Sequence, residues 1–196
     1  FADHKKYKER LKADITMREW LLKKMSKMFV EDIKLERIND IFHIIVSTSR
    51  PGLIIGRKGE GVEKLKREIQ AKMREIGTSE KEAKITVEEI RDAESYASII
   101  SKMVKEDLER RQRFRRVLKK TIEKAMANRK VQGIKIALAG RLDGAEMGRR
   151  EWLKKGKIPL QTLRSDIEFS REKANLHYGD IGIKVWVYKG DVFDKD

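Results

Sequence analysis

The sequence contains no cysteine, which excludes a disulfide framework and thiolate chemistry and fits a cytosolic protein. No apolar run approaches the ~20 residues that span a bilayer, and no stretch has the pattern of a signal peptide. No membrane partner is expected. Histidine is scarce: His4, His43 and His177 are scattered along the chain, so no metal site is expected. His43 falls in a strand-like run and reads as a half-buried structural residue, while His177 precedes a turn. There is no Gly-x-x-x-x-Gly-Lys-Ser/Thr phosphate loop. Asp194 and Asp196 have the spacing of an acidic metal pair, but a frayed terminus accounts for them better. With no catalytic constellation in view, the chain is read as no enzyme, with no cofactor and no small-molecule substrate. Negative charge is also short, with 32 Asp+Glu against 47 Lys+Arg and a net charge of +15. A compact chain so charged repels itself, and a polyanion is the partner that relieves the repulsion.

Hydrophobic residues make up 39% and charged residues 40% of 196 positions, enough core for one ordinary domain or two small ones. Ile15, Trp20, Leu21, Met25 and Met28 mark an opening helix that ends near Phe29. "EDIKLERI" alternates as a strand, Asn39-Asp40 makes a turn, and "IFHIIVSTS" reads as a second strand. Arg50-Pro51-Gly52 stops it, and Leu53, Ile54 and Ile55 form a single helical turn. Val62, Leu65, Ile69, Met73 and Ile76 then recur at helical spacing, supported by Glu60–Lys64 and Glu63–Arg67 pairs. Gly77-Thr78-Ser79 ends that helix before the strand "AKITVEEI". A second unit begins near Asp92. Tyr96, Ile99, Ile100, Met103, Val104 and Leu108 mark one helix. Phe114, Val117, Leu118, Ile122 and Ala125 mark another, either separate or continuous with it. A strand "GIKIALAG", a basic loop and a hairpin of "DIEFSREKANL" and "DIGIKVWVYKG" follow, with no internal repeat or low-complexity tract.

Between the third apolar run and its following helix lies Gly56-Arg57-Lys58-Gly59. These glycines have a plain structural reading, Gly56 as a positive-φ cap and Gly59 as the residue that keeps the turn tight. They also suit a phosphodiester. Residues without side chains let an RNA backbone approach, the following helix presents free N–H groups, and Arg57 and Lys58 add charge. Ile54, Ile55 and Val62 would line an apolar groove for splayed bases. "IIGRKGEGVEKL" resembles the signature of a KH domain, and the order α-β-β-α-α-β matches the family's type II variant. The resemblance implies that Gly56, Arg57, Lys58 and Gly59 clamp about four nucleotides of single-stranded RNA. The missing phosphate loop argues against the GTPases that carry such a domain.

The second unit is more specific. Gly140-Arg141-Leu142-Asp143-Gly144-Ala145-Glu146, then Glu151-Trp152, then Ile158-Pro159-Leu160-x-Thr162-Leu163-Arg164, then Gly182-Ile183-Lys184-Val185-Trp186 resemble the C-terminal domain of the bacterial small-subunit ribosomal protein S three family. The resemblance covers essentially the whole chain. A start of the form Gly-x-Lys-x-His-Pro, found in that family, is absent, and since the sequence opens at Phe1 rather than Met, further residues are expected upstream.

Together these features imply an α+β chain of two domains. Residues 1–91 would hold the N-terminal helix and a type II KH RNA-binding domain. Residues 92–196 would form a second α+β domain with two helices against a mostly antiparallel sheet. The resemblance implies a cytoplasmic ribosomal protein in the head of the small subunit. Its expected partners are 16S rRNA, mRNA and neighbouring head proteins, and it would line the opening where mRNA enters. Arg115, Arg116 and Lys119 lie off the apolar stripe of the second basic helix, with only Glu123 nearby to balance them. They match basic positions thought to help part mRNA structure. Arg149, Arg150, Lys154, Lys155 and Lys157 form a second cluster, placed on a loop and directed to rRNA, whereas Trp152 and Trp186 are expected to pack. A free KH-type RNA-binding regulator is the alternative. A nuclease acting on damaged DNA is the enzyme-class reading, and no constellation supports it.

Overall fold

A computed structural model describes residues 4–26, 28–38, 41–77 and 82–193. The chain divides into two compact units, Phe1–Arg91 and Asp92–Asp196, each with its own apolar core. The turn assigned to Asn39-Asp40, the residues Thr78-Ser79 and the pair Asp194/Asp196 lie outside the described residues.

In the first unit, α1 (His4–Lys24), β1 (Val30–Ile38), β2 (Ile41–Thr48), α2 (Pro51–Ile55), α3 (Glu60–Ile76) and β3 (Glu82–Glu89) follow in order. The sheet runs β1-β2-β3, with β1 antiparallel and β3 parallel to β2. A parallel pair needs a crossover, and α2 with α3 supplies it. Leu65, Ile69 and Met73 of α3 bury against Phe42, Ile44 and Val46 of β2 in one cluster, as residues spaced by three or four on a helix must when they share a face. Arg67 and Glu63 pair at 3.9 Å on its exposed side.

The opening helix differs from expectation at both its end and its face. It stops at Lys24, not near Phe29. The Met28 carbonyl accepts a bond from the Thr48 hydroxyl at 2.9 Å, and Phe29 turns to φ 50. The Arg50 guanidinium covers the Phe29 ring at 4.2 Å. Its buried stripe is Met17 and Leu21 leading into Met25, while Ile15 is 52% exposed. Met17, Leu21 and Met25 are four apart, and Ile15 falls half a turn away from that row.

The second unit holds α4 (Ala97–Glu109), α5 (Phe114–Ala127), β4 (Gly133–Gly140), β5 (Arg149–Gly156), β6 (Ser165–Leu176) and β7 (Gly179–Asp191). The two helices are separate. Arg111 takes φ 60 between them, so one cannot continue into the other. The sheet is antiparallel throughout, in the order β5-β4-β7-β6. One face packs on the helices: Ile134, Ile136 and Leu138 of β4 and Ile181, Ile183, Val185 and Val187 of β7 are buried with Ile100, Val104, Val117 and Leu118. Two further expectations change here. "RREWLKKG", which charge alone reads as loop, is the edge strand β5. The two glycines of Tyr178-Gly179-Asp180-Ile181-Gly182, which the sequence offers as the break between the last two strand-like runs, do not form it. His177 and Tyr178 make the hairpin turn, and Gly182 lies inside β7 opposite Ala139 and Lys173.

Candidate nucleic-acid interface

The Gly56–Gly59 loop folds as a single turn with three left-handed residues, Gly56 at φ 71, Lys58 at φ 52 and Gly59 at φ 83. Gly56 closes α2 with its N–H donating to the Gly52 carbonyl at 3.0 Å, and Gly59 caps the start of α3. Both structural roles read from sequence are therefore present. A Cβ on Gly59 would meet nothing within 4 Å, so the space above it is open, and Arg57 and Lys58 are exposed.

A third glycine, Gly61, was not singled out in the sequence. A Cβ there would sit 2.5 Å from the Ile54 carbonyl oxygen, so α3 can lie this close to α2 only because Gly61 has no side chain. The apolar groove also needs correction. Ile54 is 2% exposed and belongs to the core, where no base can reach it. Leu53 and Ile55 are the exposed apolar residues of α2, and Val62 is half-buried.

In the second unit, the N-terminal end of α5 opens on a concave surface lined by Arg113, Phe114, Arg115, Arg116, Lys119, Lys120, Glu123, Asp143 and Arg149. Phe114 is buried at its base. The guanidiniums of Arg115 and Arg149 each lie 5.6 Å from the Phe114 ring centroid, close enough for the ring face to attract them. Asp143, itself at φ 54, accepts from the Phe114 N–H at 3.4 Å and caps the helix.

Glu123 is not the only counter-charge. Glu151 of β5 lies 3.7 Å from Arg115 and 3.0 Å from Arg149, and Asp107 lies 4.0 Å from Lys120. Arg116 and Lys119 have no ion pair among the described residues.

The second basic cluster does not stay together. Successive residues of a strand point to opposite sides of the sheet. Arg149 turns toward α5 and joins the concave site, and Lys155 points to that same side at the sheet edge. Arg150 and Lys154 point to the sheet's open face, and Lys157 lies just beyond the strand.

Register fills that open face in rows: Phe169, Trp186, Lys135 and Lys154; then Arg171, Lys184, Ala137 and Trp152; then Lys173, Gly182, Ala139 and Arg150. Trp152, expected to pack, is 54% exposed, and Phe169 is 51% exposed. Trp186 is half-buried, its ring 5.2 Å from that of Phe169. The Lys135 ammonium lies 5.3 Å from the Trp152 centroid and 5.2 Å from that of Trp186.

His43 bonds Thr86 at 2.8 Å and lies 3.5 Å from Glu36, and His177 stacks edge-on against Tyr178. Among the described residues no three His, Cys, Asp or Glu side chains are placed to hold a metal ion. No described helix is long and apolar enough to cross a membrane.

Two exposed cationic surfaces on an α+β scaffold with a Gly-x-x-Gly turn define the class, a nucleic-acid-binding protein. Residues 16–95 match the KH domain family, and residues 104–187 match the family described as ribosomal protein S3, C-terminal domain. The chain is 40% identical over 194 residues to the small ribosomal subunit protein uS3 of Psychrobacter sp. (strain PRwf-1), covering 99% of this chain and 76% of that protein. It is 41% identical to uS3 of Alcanivorax borkumensis, covering 98% and 80%. It is 42% identical to uS3 of Pseudomonas paraeruginosa, covering 98% and 81%. The chain belongs to the ribosomal protein uS3 family.

Proposed function

We propose that the protein is a structural, non-catalytic component of the head of the small ribosomal subunit, in the cytoplasm. In this reading it binds 16S rRNA and neighbouring head proteins and holds incoming mRNA single-stranded at the opening where the message enters. The concave face of α5 carries the reading. Six cations, Arg113, Arg115, Arg116, Lys119, Lys120 and Arg149, line it against the carboxylates of Glu123 and Asp143. Most of them have long, exposed side chains, so they can follow a moving phosphate backbone at little desolvation cost, and each contact releases counterions. Nothing in such a surface reads base sequence, as a channel for every message requires. The work is electrostatic, with translocation supplying the energy.

The Gly56–Gly59 loop is assigned to a short run of single-stranded RNA. Gly59 leaves room for the backbone, and Arg57 and Lys58 supply charge from exposed positions. Arg150, Lys154, Lys155 and Lys157 are assigned to rRNA.

The test uses ribosomes carrying Arg115→Ala, Arg116→Ala and Lys119→Ala. Alanine is the better helix former, and none of the three is buried, so incorporation into subunits should hold. Each lost contact should lower the salt slope for a single strand by ~0.7. Elongation through a stable downstream hairpin should slow more than elongation through an unpaired control. Equal slowing on both templates would make these residues supports of the particle. Unchanged rates on both would leave the helix face merely solvated.

A further inference from the structure

The open face of the second unit's sheet has a composition that neither packing nor solubility explains. Three of its rows, twelve register positions, carry three aromatic rings and six cations, and the carboxylate nearest them, Asp180 in the next row, pairs among the described residues with Lys173 alone. The rings are not scattered. Phe169, Trp186 and Trp152 come from three different strands, with the Lys135 ammonium between the two indoles. Trp152 and Phe169 are each about half exposed, although large apolar side chains are normally buried unless a partner covers them.

The geometry points to this face as a stacking platform for a single-stranded RNA segment, distinct from both the Gly56–Gly59 loop and the α5 concavity. Every base has a π face, so rings set in a row accept successive bases whatever the sequence, while flanking cations hold the phosphates. Here Lys184 and Arg171 adjoin the rings in the next row, with Arg150 beyond them, so charge and stacking surface are interleaved. A duplex would keep its bases stacked inside and could use only the charges. An acidic peptide would satisfy the cations but would have nothing flat to offer three rings. The α5 site lies on the opposite side of the same sheet, so one RNA strand passing α5 does not also cover this face.

The inference rests on the reading of the chain as an RNA-binding protein, and the experiment separates the two. Full-length protein is titrated with an unstructured 12-nucleotide RNA, the matching duplex and a polyglutamate peptide, following tryptophan fluorescence and anisotropy. A background variant carries Arg57→Asp, Lys58→Asp, Arg115→Ala, Arg116→Ala and Lys119→Ala, which reverses the loop's charge and removes three of the six α5 cations, so that the ring variants added to it decide what the platform contributes. It should still bind the single strand with quenching of tryptophan emission, and should prefer it to the duplex. Adding Trp152→Leu or Phe169→Leu should weaken that binding by roughly tenfold each, while Trp152→Phe, which keeps a ring, should retain most of it. Circular dichroism and a urea midpoint check that the variants fold, as half-exposed positions should allow. Equal affinity for duplex and single strand, or affinity unmoved by the leucine variants, would overturn the platform. Polyglutamate binding tighter than RNA and dependent on the same rings would also overturn it, assigning the face to a protein segment. A parent chain that binds RNA while the background variant does not would sink this inference and leave the functional reading standing. A parent that binds no RNA at all would sink both.

Discussion

Gly61 shows how differently two nearby glycines can be constrained. A Cβ at Gly61 would press against backbone oxygen at 2.5 Å, which has no flexible end to move aside, whereas at Gly59 the space is open and only the φ of 83 is strained. Gly59→Ala should cost about 1 kcal/mol, the scale of a left-handed residue gaining a side chain. Gly61→Ala should cost more, of the order of 1–3 kcal/mol, because α2 and α3 must part. Urea midpoints of the two variants decide the order. Sequence pattern revealed Gly56 and Gly59 but not Gly61, because a close approach between two helices leaves no mark on local spacing.

Asp191 is a second residue with a checkable consequence. Hydrogen bonds from the Ser165 hydroxyl at 2.7 Å and the Tyr188 hydroxyl at 2.9 Å hold its carboxyl below the ordinary aspartate range, and Arg164 at 3.6 Å adds to this. A depressed folded pKa means that the unfolded chain takes up the proton first as pH falls. The stabilisation is therefore complete above the ordinary aspartate pKa and is lost as pH drops through the folded one. Tyr188, raised chiefly by its bond to Asp191, behaves oppositely: its contribution is present below pH ~10 and is lost as pH rises through its folded value. Asp191→Asn should flatten the acid limb of a stability-against-pH curve relative to the parent. Parallel curves would mean that the carboxylate's charge contributes nothing.

At the scale of elements, what was legible was what repeats. The apolar spacing of α3, α4 and α5 and the alternation in β1 each reflect burial of one face, and the structure buries those faces. β5 was missed because only Leu153 of its eight residues packs on the core, so charges dominate and the segment reads as loop. Its strand character comes from pairing with β4, a tertiary effect. The misplacement had a functional cost. Of five basic residues read as one cluster in sequence, the strand divides four between two faces, Arg149 and Lys155 going to the side of α5 and Arg150 and Lys154 to the rings. The face of α1 was likewise misread, since Ile15 is apolar yet points outward and only the partner surface decides which stripe is inner.

For the whole molecule, two cores that share no residue predict two cooperative units. Fragments 1–91 and 92–196 should each unfold in a single transition by circular dichroism, with midpoints matching those seen in the intact chain. A fragment that is unfolded in isolation would show that the core it holds is insufficient without the rest.

The strand orders of the two units have different consequences for a chain made from its N-terminus. In the first unit β3 adds to the edge of an existing β1–β2 hairpin, so folding can be complete once residue 89 is free, with the second unit still unmade. In the second unit β7 lies between β4 and β6 and pairs with both. Neither neighbour has a finished edge until β7 arrives, though α4, α5 and β4–β6 have all been synthesised. For that interval Ile134, Ile136 and Leu138 of β4 lack the β7 side chains that pack beside them, on a strongly basic segment beside abundant RNA. The nascent protein is therefore most exposed to wrong pairing just before its final strand emerges, which is where a chaperone would have the most to protect.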